Sequence, residues 1–111
     1  STPRYRKNAG CVYNLHYHLV WCPKYRKSVL VGPVENALKQ LLEEKATALD
    51  VQIEVLEVMP DHVHLFMSAP PTLAPAQLAN QFKGYTSRVL RQQFPHLKSR
   101  LPTLWSRSYY I

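Results

Sequence analysis

Apolar side chains fall on every second position from Cys11 to Trp21. Cys11, Tyr13, Leu15, Tyr17, Leu19 and Trp21 share one parity, and Asn14, His16 and His18 share the other. Side chains alternate across a strand, so the pattern predicts one long strand over 11–22, apolar on one face and carrying two histidines on the other. Pro23-Lys24-Tyr25-Arg26-Lys27 ends it in a basic turn. Gly32-Pro33 then opens a helix, because proline at the first turn loses no hydrogen bond. Val34, Ala37, Leu38, Leu41, Leu42, Lys45 and Leu49 follow at helical spacing, with Glu35, Glu43 and Glu44 on the solvent side. A second strand reads from Val51, Ile53 and Val55. Its apolar parity shifts at Leu56 and Val58, which predicts a bulge. Met59-Pro60-Asp61 turns tightly into a third strand, His62 to Ser68. Pro75 opens a second helix with the seam Leu78, Phe82, Tyr85, Val89, which makes Tyr85 a packing residue. Pro95 ends that helix, and Leu104 to Ile111 reads as a closing strand.

The order strand, helix, strand, strand, helix, strand predicts an α+β fold of the ferredoxin-like, split βαβ kind: an antiparallel sheet with two helices on one face. At 111 residues and 46% hydrophobic content, the chain fits a single domain over 1–111 with one modest core. No apolar run is long enough to cross a membrane, and the N-terminus lacks the apolar stretch of a signal peptide. Cys11 and Cys22 are expected on opposite faces of one strand and too far apart to bond, which suits a reducing cytoplasm.

Charge adds a second layer. The net charge is +7, yet all seven acids lie between Glu35 and Asp61, leaving 1–34 and 62–111 as two basic, carboxylate-free arms. Brought together, the arms would form one positive surface suited to a polyphosphate backbone. Arg4 and Arg6 in the N-terminal arm, Lys24 and Arg26 after the first strand, and Lys83, Arg88 and Arg91 on the second helix are the expected DNA contacts. Tyr25 is placed to stack on an unpaired base.

His62 and His64 carry the candidate chemistry. Two residues apart on a strand, they project from one face while Val63 and Leu65 pack on the other. Neutral imidazole is a common metal ligand, and Asp61 beside the pair offers an oxygen to coordinate the ion or to orient a histidine. Two histidines alternating on a half-buried strand also occur as plain polar-face residues, so the spacing alone leaves both readings open. His16 and His18 share a face of the first strand and suit a structural or DNA-contacting role.

The run Met59-Pro60-Asp61-His62-Val63-His64-Leu65 resembles the His-hydrophobic-His motif of the small single-tyrosine transposases of the insertion sequence 200/605 group, members of the HUH class of single-strand endonucleases. Tyr17-His18-Leu19-Val20-Trp21-Cys22-Pro23-Lys24-Tyr25-Arg26 resembles the family's first strand and its basic exit. Phe82-Lys83-Gly84-Tyr85-Thr86-Ser87-Arg88 resembles its second helix, and Leu104-Trp105-Ser106-Arg107-Ser108-Tyr109-Tyr110 its last strand. Several separated motifs in order, over essentially the whole chain, make the likeness specific.

The resemblance implies a transposase that binds hairpin ends of a mobile element, then cuts and rejoins single strands through a phosphotyrosine intermediate. It implies Mg2+ or Mn2+ held by His62 and His64, a homodimer, and a cytoplasmic, nucleoid-associated, prokaryotic setting. In the family the nucleophilic tyrosine sits on a further helix after the closing strand, with a glutamine that completes the metal shell. The sequence stops at Ile111, so the match covers the metal half of the site, and no catalytic nucleophile is assigned. Tyr109 and Tyr110 are expected as ordinary strand residues. The chain is therefore expected to bind DNA without forming the covalent intermediate. A shortened polypeptide, an omitted remainder and a natural remnant all fit this pattern. Two other readings stand beside it: a non-catalytic RNA- or DNA-binding module of the same fold, and a simple metallohydrolase.

Overall fold

A computed structural model describes residues 14–111. Arg4, Arg6, Cys11 and Tyr13 of the sequence reading lie outside the described residues. Strands β1 (Leu15–Trp21), β2 (Gln52–Met59) and β3 (His62–Ala69) form an antiparallel sheet in the order β1-β3-β2. Helix α1 (Pro33–Ala48) lies between β1 and β2, helix α2 (Pro75–Gln93) follows β3, and a short helix α3 (Pro95–Arg100) comes after it. The result is a small α+β fold.

The odd residues of the central strand β3 face the helices, and Val63, Leu65, Met67 and Ala69 are fully buried. They share one contiguous core with Leu19 and Trp21 of β1, Leu38, Leu41 and Leu42 of α1, and Leu78, Phe82 and Leu90 of α2. Fully burying such a side chain contributes about 1.5–3 kcal/mol, so the helices are held to this face of the sheet by their apolar stripes. The opposite face receives the even residues of β1 and β3.

The shift in apolar parity is realised as a register irregularity between Ile53 and Val55, which lets Leu56 and Val58 of β2 pack against the core. Met59 pairs directly with His62, so Pro60-Asp61 is a two-residue hairpin turn. Its tightness fixes where β3 begins, and with it which face receives the histidines.

Four expectations need correction. The first strand spans Leu15–Trp21 among the described residues, and Cys22, a free thiol, lies just past its end. The α2 seam runs Leu78, Phe82, Thr86, Leu90, a strict step of four, while Tyr85 and Val89 flank it half-buried. Tyr85 still packs against the core and also ties the two helices together, its hydroxyl donating to Glu44 Oε1 of α1 at 3.0 Å. Pro95 starts a helix as well as ending one, and α3 anchors itself in the core through Leu97. The segment from Leu104 is not a strand. It makes two isolated bridges, Val20 of β1 with Tyr110 and Pro23, just past β1, with Trp105. Between them the chain bows away, because the carbonyls of Ser106, Arg107 and Ser108 accept from Lys83 Nζ at 2.7, 3.2 and 3.4 Å. Carbonyls converging on one ammonium cannot all serve a strand ladder.

Candidate functional site

His62 and His64 occupy the sheet face turned away from the helices. Their ring centroids lie 4.9 Å apart and their planes are nearly perpendicular, at 78°. The cross-strand neighbours of His64 are Val20 on β1 and Glu57 on β2, and Met59 lies across from His62. Both rings are half-buried; the backbone at His64 is held by ladders on two sides, and that at His62, the first residue of β3, by the β2 ladder alone.

Each imidazole is also held through one nitrogen. His62 Nδ1 stands 2.8 Å from Asp61 Oδ1, and Asp61 Oδ2 stands 3.1 Å from Arg26 Nη2. The bond with His62, ahead of the Arg26 charge, holds the Asp61 carboxyl below its ordinary pKa, against a smaller opposing effect of burial. An ionised carboxylate can only accept, so the proton of this bond belongs to His62 Nδ1 and the Nε2 lone pair of the neutral ring stays free. His64 Nδ1 lies 3.0 Å from Nε2 of His18, again leaving Nε2 unengaged. Burial, then the neighbouring His62 and His18, hold His64 below the usual imidazole pKa, and Glu57 opposes them. His64 is therefore neutral at physiological pH, the form that ligates.

This donor set fits a divalent ion in part. Two imidazoles with Nδ1 engaged and Nε2 free are oriented as metal-binding histidines are. Among the described residues, no group of three His, Cys, Asp or Glu side chains could hold an ion. Asp61 is committed to His62 and Arg26, which makes it an orienting residue.

Among the described residues, the basic candidates occupy three environments. Arg26 is exposed, and it and Tyr25 both adopt left-handed backbone, with φ of 52° and 60°. That conformation costs a non-glycine residue about 1–2 kcal/mol, and it delivers the Arg26 guanidinium to Asp61. Lys24 lies over the exposed Tyr25 ring at 5.6 Å. Arg88 and Arg91 point away from the α2 seam and, with Ser87, Gln92 and Lys98, line a carboxylate-free cavity of about 240 Å3 on the helical side of the sheet. Lys83 was expected to meet DNA. Its ammonium is instead spent on the three carbonyls that it gathers, and burial lowers its pKa.

The chain matches the family model for "Transposase IS200 like" over residues 11–111. It belongs to the IS200-like transposase family. Among relatives, the ISDra2 transposase TnpA of Deinococcus radiodurans is 44% identical over 108 residues, covering 96% of this chain and 77% of that protein. The transposase for insertion sequence element IS200 of Salmonella typhimurium is 31% identical over 101 residues, covering 89% of this chain and 66% of the relative. A crystal structure of a candidate transposase from Deinococcus radiodurans superposes with a TM-score of 0.86 at 41% identity, over 93% of this chain and 81% of the other. A REP-associated tyrosine transposase bound to a REP hairpin gives 0.59 at 16% identity, over 89% of this chain and 55% of that one, and shares the fold. No helix among the described residues of this IS200-like transposase is long and apolar enough to cross a membrane.

The structure of this family member also brings together residues that local pattern could not join. His18 lies flat against Phe66, with centroids 3.8 Å apart and planes 11° apart, while bonding His64. Tyr109 and Tyr110 line a cavity of about 350 Å3 beside His62, together with Cys22 and Arg26. The alternation of His16 and His18 was visible in the sequence. The register that sets Phe66 opposite His18 was not.

Proposed function

We propose that this IS200-like transposase acts on single-stranded DNA at hairpin ends, cutting and rejoining strands through a phosphotyrosine intermediate, with a divalent cation, Mg2+ or Mn2+, held by Nε2 of His62 and Nε2 of His64. The observation that carries the reading is the pair of half-buried imidazoles on one sheet face, each fixed through Nδ1 with its other nitrogen free. A cation bound there would supply Lewis-acid stabilisation of charge on a phosphoryl oxygen. The protein's part is to aim both rings, through Asp61 and His18, and to hold Arg26 beside them for the phosphate backbone.

In this reading the segment bridging β1 at Tyr110 takes the place of the fourth strand in the ferredoxin-like order. The attacking tyrosine is assigned, by the family resemblance, to a helix following the residues matched here. No residue of 1–111 is named as nucleophile. A homodimer acting in the prokaryotic cytoplasm belongs to the same proposal. The RNA-binding alternative would use stacking aromatics on the central strands. Phe66 is the aromatic on that face of β3, and His18 already covers it.

The test is covalent capture. In a polypeptide carrying the family's tyrosine helix after Ile111, a hairpin substrate and Mn2+ should give a protein–DNA adduct that His62→Ala abolishes. Residues 1–111 alone should bind the hairpin, with affinity falling steeply as salt rises, and give no adduct. Strand cutting by the longer polypeptide with no adduct at any time would overturn the proposal.

A further inference from the structure

The geometry assigns His18 as the positioning residue that sets the tautomer of His64. Neutral imidazole carries one proton, on either Nδ1 or Nε2, and only the bare nitrogen can accept a cation. His64 offers Nε2 to the site only when its proton sits on Nδ1. In that state Nδ1 must donate, and the acceptor 3.0 Å away is Nε2 of His18. His18 in turn must keep its own proton on Nδ1.

The orientation of His18 is itself fixed. Its ring stacks on Phe66 at 3.8 Å and 11°, and it leans against His64 at 5.2 Å and 23°. Phe66 therefore sets the plane of His18, and His18 sets the proton on His64. The two candidate ligands thus receive the same instruction from different chemistry: His62 from the Asp61 carboxylate one residue away, and His64 from an imidazole on the neighbouring strand. A carboxylate accepts only. An imidazole has two tautomers, and the stack on Phe66 fixes the plane of the His18 ring rather than its proton.

His18 is not a third ligand in this arrangement. Its Nε2 is used by His64, and among the described residues no trio of ligating side chains is assembled. The tautomer is read on the metal-free protein, while the donor assignment and its consequence for metal rest on the reading proposed above, since a 3.0 Å contact between two ring nitrogens fits either as donor.

The experiment has two arms. Long-range proton–nitrogen NMR at about pH 8, where ordinary imidazoles are neutral, reads the His64 tautomer with no metal present. The Nδ1–H form is expected in the starting protein, and His18→Phe, which keeps a ring on Phe66 but has no acceptor, should shift His64 toward Nε2–H. His18→Gln supplies an acceptor oxygen and should restore Nδ1–H. In the second arm, Mn2+ binding followed by electron paramagnetic resonance should weaken roughly tenfold or more in His18→Phe and recover in His18→Gln. A His64 tautomer unmoved by His18→Phe would overturn the assignment. A tautomer that moves while Mn2+ affinity stays equal in all three proteins would sink its consequence for metal and leave the role of His18 in the tautomer standing. A starting protein that binds no Mn2+ would sink the metal reading alone, since the first arm still decides the role of His18.

Discussion

Asp61 Oδ1 lies 2.8 Å from His62 Nδ1 while its second oxygen holds Arg26 at 3.1 Å, so one carboxylate joins the basic turn after β1 to the first histidine of β3. The turn Pro60-Asp61 places this acid, and the left-handed backbone at Tyr25 and Arg26 brings the cation to it. Asp61→Ala should therefore leave the core intact yet free the His62 ring to rotate and exchange tautomers. Mn2+ affinity is expected to fall about 10- to 100-fold with little change in thermal stability. Calorimetric titration of both proteins checks this, and equal affinities would remove Asp61 from the site.

The pH dependence has a definite sign. His64 is held below the ordinary imidazole value, so the unfolded chain takes up a proton at this position before the folded one does. Its contribution to stability is present above about pH 6.5 and is lost as pH falls toward the folded value. Asp61, also depressed, contributes above about pH 3.8, and that share is lost as pH falls through its folded value. An NMR titration should show the His64 ring protonating at lower pH in the folded protein than in urea. The reverse order would contradict the burial argument.

Much of the fold was legible because strand and helix periods write themselves into apolar spacing. The alternation around Leu19 and Trp21, the slip before Leu56 and the run around Val63 and Leu65 all became structure. The closing strand did not, because aromatic residues at Trp105, Tyr109 and Tyr110 mimic a strand while the outcome depends on Lys83, more than twenty residues away in sequence. Helix α3 was missed because six residues with one buried leucine, Leu97, hold too little period to read. At the site, His62 and His64 were visible from their spacing. The bond from His64 to His18 spans 46 residues and depends on inter-strand register, which no local pattern encodes.

Lys83 separates a structural cation from a DNA-contacting one. Lys83→Met strands three carbonyls that now share an ammonium, and the expected loss of stability is roughly 1–2 kcal/mol, reduced from a buried value because the group is partly solvated. Hairpin DNA affinity should drop only as far as the 106–108 segment is disturbed, with the slope of log affinity against log salt unchanged. Arg26→Met should instead lower that slope by about one unit, as removal of a phosphate contact does. Parallel binding isotherms at several salt concentrations distinguish the two, and a reduced slope for Lys83→Met would return it to the DNA-facing set.

Thr86 was hidden in the sequence as a polar residue within a helical pattern, yet it docks the terminal segment. Its hydroxyl donates to the Phe82 carbonyl at 2.7 Å and accepts from Trp105 Nε1 at 3.0 Å, with both side chains buried. Trp105 meets Trp21 edge to face at 5.7 Å, so this one bond helps to fix the packing between α2, β1 and the segment beyond α3. Thr86→Val keeps the volume but leaves a buried indole N–H without its acceptor, at a cost of about 1–3 kcal/mol. Trp105→Phe removes the donor and some packing area, leaving Thr86 still bonded to Phe82. In the double variant the orphaned donor no longer exists, so the combined loss should fall short of the summed single losses by about 1 kcal/mol. Urea unfolding of the four proteins measures that difference directly. Strict additivity would mean that the hydroxyl and the indole do not act as a pair.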